Sequence, residues 1–278
     1  MSLSKKLPLL IITLVVVAMA VTGIVTYQNT SGVILDKSKN ESLKLNESVN
    51  KTVSAALRRE LTGIKAVSND NILNELLAMD ASADVQSELY KEKVEAASKK
   101  LEKYVADFGN SEHVFLVNAK GIIIADSDRK LIGADINDRA YVAKTLKGMQ
   151  NISETLVSKS SGALITVVTS PITQDGRLVG MVASGVYVSS FNNYLADIQI
   201  SNTTTSYGYL VDTAGTMLYH PQADKVGKPV ENDLVKSIVS RLSKGEKIES
   251  TVEEYDYKGV RKVASYSIVP DSRWVFVI

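Results

Sequence analysis

His113-Val-Phe-Leu-Val-Asn-Ala-Lys-Gly-Ile-Ile-Ile-Ala125 can be laid without a gap over Tyr207-Gly-Tyr-Leu-Val-Asp-Thr-Ala-Gly-Thr-Met-Leu-Tyr219. Leu116 falls on Leu210, Val117 on Val211, Asn118 on Asp212 and Gly121 on Gly215. The register holds further on, where Ile132-Gly133 meets Val226-Gly227 and Ile136 meets Val230, a constant step of 94 residues. Each copy is a β-branched and aromatic run, an Asn/Asp-x-x-Gly turn, and a second apolar run: strand, tight turn, strand. Each copy then reaches a loop, a short helix and further strands. In the first copy these are Gly162 to Pro171 and Arg177 to Val188; in the second, Ile248 to Tyr257, Lys262 to Ile268 and Trp274 to the end. The pattern predicts two related α+β modules in tandem, each with an antiparallel sheet.

The region before the repeat is helical in character. From Ser31 to Met79 there is no proline, and the apolar positions Ile34, Leu43, Leu45, Val49, Val53, Leu57, Leu61, Ile64 and Val67 recur at helical intervals, three or four apart from Leu45 onward. About 49 helical residues reach roughly 70 Å, which suits a stalk better than a globular-domain helix. Asn69-Asp70-Asn71 and Asp80-Ala81-Ser82 are its expected ends, and a second helix is predicted from about Val85 to Phe108. Both helices are read as packing on the modules, as part of a coiled-coil dimer seam, or both.

Upstream, Leu7 to Tyr27 carries no charge and is long enough to cross a bilayer core of roughly 30 Å. Lys5 and Lys6 precede it, so the positive-inside rule keeps residues 1–6 cytoplasmic and sends everything after Tyr27 outside. Ala18-Met19-Ala20 resembles a signal-peptide cleavage site, but the apolar run continues through Val21, Ile24 and Val25, which favours an uncleaved anchor. The domain reading is therefore a cytoplasmic N-terminus at 1–6, a transmembrane helix at 7–27, a stalk and second helix at 28–109, a membrane-distal module at 110–200 and a membrane-proximal one at 201–278.

Composition narrows the functional classes. The chain has 32 basic and 31 acidic residues, so a net charge of +1 gives no reason to expect nucleic acid as a partner. It has no cysteine, which removes disulfides, thiolate nucleophiles and Cys-based metal sites. The two histidines, His113 and His220, lie in different modules without metal-ligand spacing. No phosphate-binding Gly-Lys-Ser/Thr loop and no Gly-x-Ser-x-Gly elbow occurs. The reading is a binding protein with no enzyme activity, no cofactor and no metal; His220, before Pro221, is expected to stabilise a turn.

Asp135-Ile-Asn-Asp-Arg-Ala-Tyr141 is the segment with recognition chemistry. Asp135 or Asp138 can cap a helix running to about Gly148, which puts Arg139 in the first turn. A helix N-terminus with an added guanidinium suits a carboxylate or phosphate. The bland alternative is that Arg139 pairs with Asp135, Asp138 or another acid, and that Tyr141 is a core aromatic.

The chain is similar to the double Cache family, the extracellular sensor of many bacterial chemoreceptors and some histidine kinases. The resemblance rests on Val114-Phe-Leu-Val-Asn-Ala-Lys-Gly121, Ile132-Gly-Ala-Asp-Ile136, Asp138-Arg-Ala-Tyr141, Leu146-Lys-Gly148, Ser158-Lys-Ser-Ser-Gly162 and Val179-Gly-Met-Val182. In the second module it rests on Tyr209-Leu-Val-Asp212, His220-Pro221, Val226-Gly-Lys228 and Arg273-Trp-Val-Phe-Val277. It covers about Ser31 to Ile278.

It implies PAS-like Cache modules behind a transmembrane helix, in the sensor of a methyl-accepting chemotaxis protein. Arg139 and Tyr141 then line the membrane-distal pocket, with Ser158, Thr169, Ser170 and Tyr187 supplied by later strands. Tyr104 of the second helix and Asp126 after the first hairpin complete the candidate ligand-binding set. Amino-acid-binding members hold the ligand ammonium with acids, where this chain has Ser158 and the segment Gly185 to Tyr187. A buried ammonium without a carboxylate partner is costly, so a carboxylate-bearing metabolite lacking the amine is favoured. Asp126 or Asp128, reaching in from a loop, leaves an amino acid open.

The implied protein is a homodimeric, membrane-anchored receptor for a small molecule. Its second membrane helix and cytoplasmic signalling domain are not in this chain. The alternatives are the sensor of a histidine kinase or of a cyclic-dinucleotide enzyme, and a receptor for a periplasmic binding protein.

Overall fold

A computed structural model describes residues 3–81, 87–196, 198–201, 203 and 205–278, with side chains from residue 10 onward. Helix α1 runs unbroken over Leu3–Val67, 65 residues, which is about 98 Å at 1.5 Å per residue. The expected transmembrane segment and stalk are thus one rod. Residues 10–37 of it are exposed, including Leu14, Val16, Met19 and Ile24. It is the one helix, among the described residues, long and apolar enough to cross a membrane, with a window of mean hydropathy 2.4.

The rod ends where the Asn-Asp-Asn signal predicted. Asp70 Oδ1 accepts from the Ile72 amide at 2.9 Å and starts helix α2, Asn71–Ala81. Helix α3, Glu88–Phe108, is capped by Ser87, whose hydroxyl accepts from the Tyr90 amide, and ends at left-handed Gly109. The expected start at Val85 lies outside the described residues.

The first sheet comprises β1 (Ser111–Asn118), β2 (Ile123–Asp126), β3 (Asn151–Ile152), β4 (Leu156–Val157), β5 (Leu164–Gln174) and β6 (Arg177–Tyr187). Its order is β2-β1-β6-β5-β3, with β4 also on β5. The short helix α4, Ala140–Thr145, interrupts it, and α5, Asn192–Leu195, follows it.

The second sheet comprises β7 (Tyr209–Val211), β8 (Met217–Tyr219), β9 (Thr251–Tyr257), β10 (Val260–Ile268) and β11 (Val275–Val277), with helix α6 (Asp233–Ser243) between β8 and β9. Its order, β8-β7-β11-β10-β9, repeats the first with β7 standing for β1 and β11 for β6. Every pairing is antiparallel. The Asp175-Gly176 and Lys258-Gly259 hairpins turn with both residues at positive φ, the geometry that a right-twisted pair of strands accepts.

The repeat read from sequence recurs bond for bond. Asn118 Oδ1 accepts from the Lys120 and Ile122 amides; Asp212 Oδ1 does the same for Ala214 and Thr216. Gly133 N–H donates to Ile123 O and Gly227 N–H to Met217 O, both at 2.8 Å.

The sheets share a back and keep separate fronts. Behind both lies one apolar core in which Val53, Leu57, Ile64 and Leu101 of the helices meet Leu116, Val168 and Val182 of the first sheet and Leu210 and Phe276 of the second. Each front has its own cluster, one around Phe115, Tyr141 and Met181, the other around Tyr209, Ile238 and Tyr266.

The back interface also carries a polar seam on α1. Ser42 Oγ donates to Ser265 Oγ at 2.6 Å, Asn46 Nδ2 donates to the carbonyls of Ser265 and Phe276 at 3.0 and 3.2 Å, and Asn50 Nδ2 donates to Ser267 Oγ at 2.5 Å. All three helix residues are buried and four apart, so they stand on one stripe facing β10.

Candidate functional site

Strand pairing decides which side chains can meet on the front of the first sheet, because paired residues share a face. His113 is opposite Gly185, Phe115 opposite Ala183 and Val117 opposite Met181; across β5–β6, Ile165 is opposite Tyr187 and Thr169 opposite Ala183. Helix α4 covers this face with Tyr141 and Val142, and Leu131, Ala134 and Ile136 pack around them.

The structure therefore brings Asp126, Arg139, Tyr141, Thr169 and Tyr187 to one front. It does not bring Ser170 there. Ser170 pairs with Val182, and Val182 belongs to the helix-facing core. Nor does it bring Tyr104, whose hydroxyl donates to Asp70 Oδ2 at 2.8 Å at the α1–α2 joint and whose ring stacks on Phe108. Ser158 stands at the edge of the front: its hydroxyl donates to Glu112 Oε1 at 2.7 Å and accepts from the Ser160 and Ser161 amides, so it binds its own turn.

Local geometry differs from expectation at α4. The helix is six residues long and stops at Thr145 instead of reaching Gly148. The Lys147 and Gly148 amides bond three residues back instead of four, and Gly148 is left-handed. Neither Asp135 nor Asp138 caps it. The Asp135 carboxylate accepts from the Asn137 amide at 2.9 Å, and an Arg139 N–H to Ile136 O turn delays the helix so that Arg139 is itself the N-cap. Arg139 Nε lies 3.5 Å from Asp138 Oδ1, with about a third of the side chain exposed. Its guanidinium is near Tyr141, whose ring is buried and whose phenol is pushed up to about 12 by that burial.

Two polar pairs close the rest of this front. Thr145 and Thr169 share a hydroxyl–hydroxyl bond of 2.6 Å, and Thr169 also donates to Asn151 O. Asp126 is fully buried, and His113 Nδ1 approaches it at 3.0 Å while its ring stacks on Phe115 at 4.7 Å. Gly185 makes room for that ring, since a Cβ there would sit 3.0 Å from it. Asp126 is thus held within the protein and does not reach in from a loop.

The front of the second sheet holds a cavity of about 110 Å³ that sequence reasoning missed. It is lined by Tyr207, Tyr209, His220, Asn232, Tyr255 and Tyr257, with Lys225 and Lys228 at its loop side. His220 does stabilise a turn, because its Nδ1 accepts from the Gln222 amide at 2.9 Å, but its ring also walls this space. The available signal was the repeat itself, since Tyr207 and Tyr209 fall on His113 and Phe115. Among the described residues no cluster of three or more His, Asp or Glu side chains is placed to hold a metal ion.

The Cache domain family model matches residues 29–278, which take in both sheets, the later part of helix α1 and every helix after it. The chain belongs to the Cache domain family. Solved structures with the same architecture include the sensory domain of the Campylobacter jejuni chemoreceptor Tlp3 with isoleucine bound, at TM-score 0.63 and 13% identity over 89% of this chain and 94% of that one. Another is the ligand-binding domain of the Pseudomonas aeruginosa PAO1 amino acid chemoreceptor PctC in complex with GABA, at TM-score 0.57 and 18% identity, covering 87% and 98%. The sensor domain of the V. cholerae histidine kinase DctB matches at TM-score 0.63 and 15% identity, covering 86% and 95%. No curated protein matches the chain. At such identities these structures carry the Cache fold and not a ligand. The chain is a Cache sensor region, of the extracellular ligand-sensing kind.

Proposed function

We propose that this Cache region is the extracytoplasmic sensor of a transmembrane chemoreceptor, that it works as a homodimer, and that its distal module takes a small anionic metabolite, with a carboxylate favoured. The observation that carries the transmembrane part is the unbroken α1. One helix joins an exposed apolar segment to the backs of both sheets, so a change at either front has a rigid path toward the membrane.

The anionic ligand rests on Arg139. Among the described residues its one ionic neighbour is an exposed carboxylate at the marginal distance of 3.5 Å, which a ligand carboxylate can replace with a bidentate pair. Tyr141 and Tyr187 are the proposed walls, while Thr169 and Asp126 hold the floor through Thr145 and His113. The buried acid on this front, Asp126, is already engaged by His113. That favours a carboxylate without an amine over an α-amino acid. The match to the DctB sensor domain supports a second reading, in which the same region serves a histidine kinase.

A thermal-shift screen of the chain in detergent against carboxylates, amino acids and amines, with Arg139→Ala alongside, tests the ligand class. The expected outcome is stabilisation by a carboxylate that the variant loses. Stabilisation by amines alone, or by a carboxylate equally in both proteins, would remove the arginine clamp.

A further inference from the structure

The cavity on the second sheet has polar groups that point one way. Tyr209, His220 and Asn232 are 6%, 7% and 7% exposed, so their hydrogen-bonding groups have little access to bulk water. Asn232 Oδ1 accepts from the Val235 amide, and its Nδ2 donates to Tyr209 Oη at 3.4 Å and also faces the Tyr255 hydroxyl. Because both phenol oxygens face a donor, their own hydrogens must look elsewhere. Among the described residues the Tyr209 O–H meets no acceptor. His220 Nδ1 is spent on the Gln222 amide, so the neutral imidazole carries its hydrogen on Nε2, again as a donor.

The charges around the mouth agree with that polarity. Lys225 and Lys228 have no ion-pair partner among the described residues, and Lys262 has none either. On the acidic side, Glu231 already accepts from Tyr257 Oη at 2.6 Å and from Lys258 Nζ at 2.9 Å, which leaves exposed Asp224 as the one acid not so engaged. A tyrosine-lined space can also attract cations through ring faces. Here two of the four rings already carry a lysine, since Lys262 Nζ lies 5.7 Å from the Tyr207 centroid and 5.2 Å from that of Tyr257, and Lys258 Nζ lies 5.1 Å from Tyr257. At those rings a ligand ammonium would meet a lysine.

We infer that this cavity is a second binding site, for a small carboxylate that lacks an ammonium group, with the Tyr209 and Tyr255 hydroxyls and the His220 Nε2–H receiving the carboxylate and the tyrosine rings receiving the carbon chain. Size narrows the class. The cavity, at about 110 Å³, suits a small acid rather than a bulky one. The site is independent of Arg139, which stands on the other sheet.

The test is isothermal titration of the full chain in lipid nanodiscs with sodium acetate, sodium butyrate and propylamine hydrochloride, against sodium chloride at matched ionic strength. The proteins are wild type, Tyr209→Phe/Tyr255→Phe, Lys262→Gln and Arg139→Ala. The phenylalanine pair keeps the rings and removes only the two hydroxyls, so the fold is retained. Butyrate or acetate binding that weakens about tenfold or more in the phenylalanine pair, and persists in Arg139→Ala, is the expected result. Lys262→Gln should weaken it severalfold by removing positive charge. Carboxylate binding unchanged in the phenylalanine pair, loss of binding in Arg139→Ala instead, heat from propylamine alone, or no heat from either acid at millimolar concentration would each overturn the assignment.

Discussion

Asp126 is wholly buried and is held by His113 Nδ1 and by the Asp128 amide at 2.8 Å, whereas Arg139 is partly exposed beside a solvated carboxylate. The two substitutions should part company in a denaturant titration. Asp126→Ala leaves a buried imidazole and an amide without their acceptor and should cost about 1–3 kcal/mol. Arg139→Ala should cost no more than about 0.5 kcal/mol, because an exposed pair contributes little. Equal losses would contradict this division between a fold residue and a contact residue. Alkali gives a further test. Tyr104, Tyr141 and Tyr266 are each raised to about 12, chiefly by burial. The folded state thus keeps these protons to a higher pH than the unfolded chain, whose tyrosines ionise near 10. Their contribution is intact below about pH 10 and is lost as pH rises toward 12. Unfolding midpoints measured from pH 8 to 12 should fall over that upper window, and less steeply in Tyr141→Phe. The role of Asp126 was not legible in the sequence because it depends on the irregular pairing at Leu116/Val117 that puts Asp126 opposite Phe115 and next to His113. Arg139 and Tyr141, two residues apart in the chain, could be read as neighbours.

Helix α1 draws its stability from one face. Val53, Leu57, Ile64 and Val67 are buried there, and Leu57 is fully so. Leu57→Ala should cost about 2–5 kcal/mol in chemical denaturation, the usual range for emptying a closed core position. A loss below about 1 kcal/mol would mean that the helix is only lightly attached. Its C-terminal end could be read ahead of the structure because Asp70 caps the helix that follows, and caps are local chemistry. The extent of α4 could not. Its start is set by a chain reversal tied to the Ile122–Asp135 bridge, a contact between segments that sequence spacing does not reveal.

At the scale of the whole molecule, the shared back core makes the two sheets a single stability unit. Trp274 of the second half is buried edge-on against Phe191 of the first, at 5.5 Å. Differential scanning calorimetry of the chain should give one transition, with calorimetric and van't Hoff enthalpies in agreement; two separated peaks would show that the backs do not couple. The duplication was legible because turn chemistry repeats with a fixed step, Asn118 and Asp212 doing identical work. The hollow in the second front was not, since a cavity depends on how side chains pack and not on how strands are ordered. The polar seam of Ser42, Asn46 and Asn50 also sets how the rod can move. A greasy contact lets a helix creep, but here a slide of 1–2 Å along β10 would pull several buried hydrogen bonds out of range at once. The helix is splined to the lower sheet like a shaft to its gear, so torque or tilt passes between them without slip.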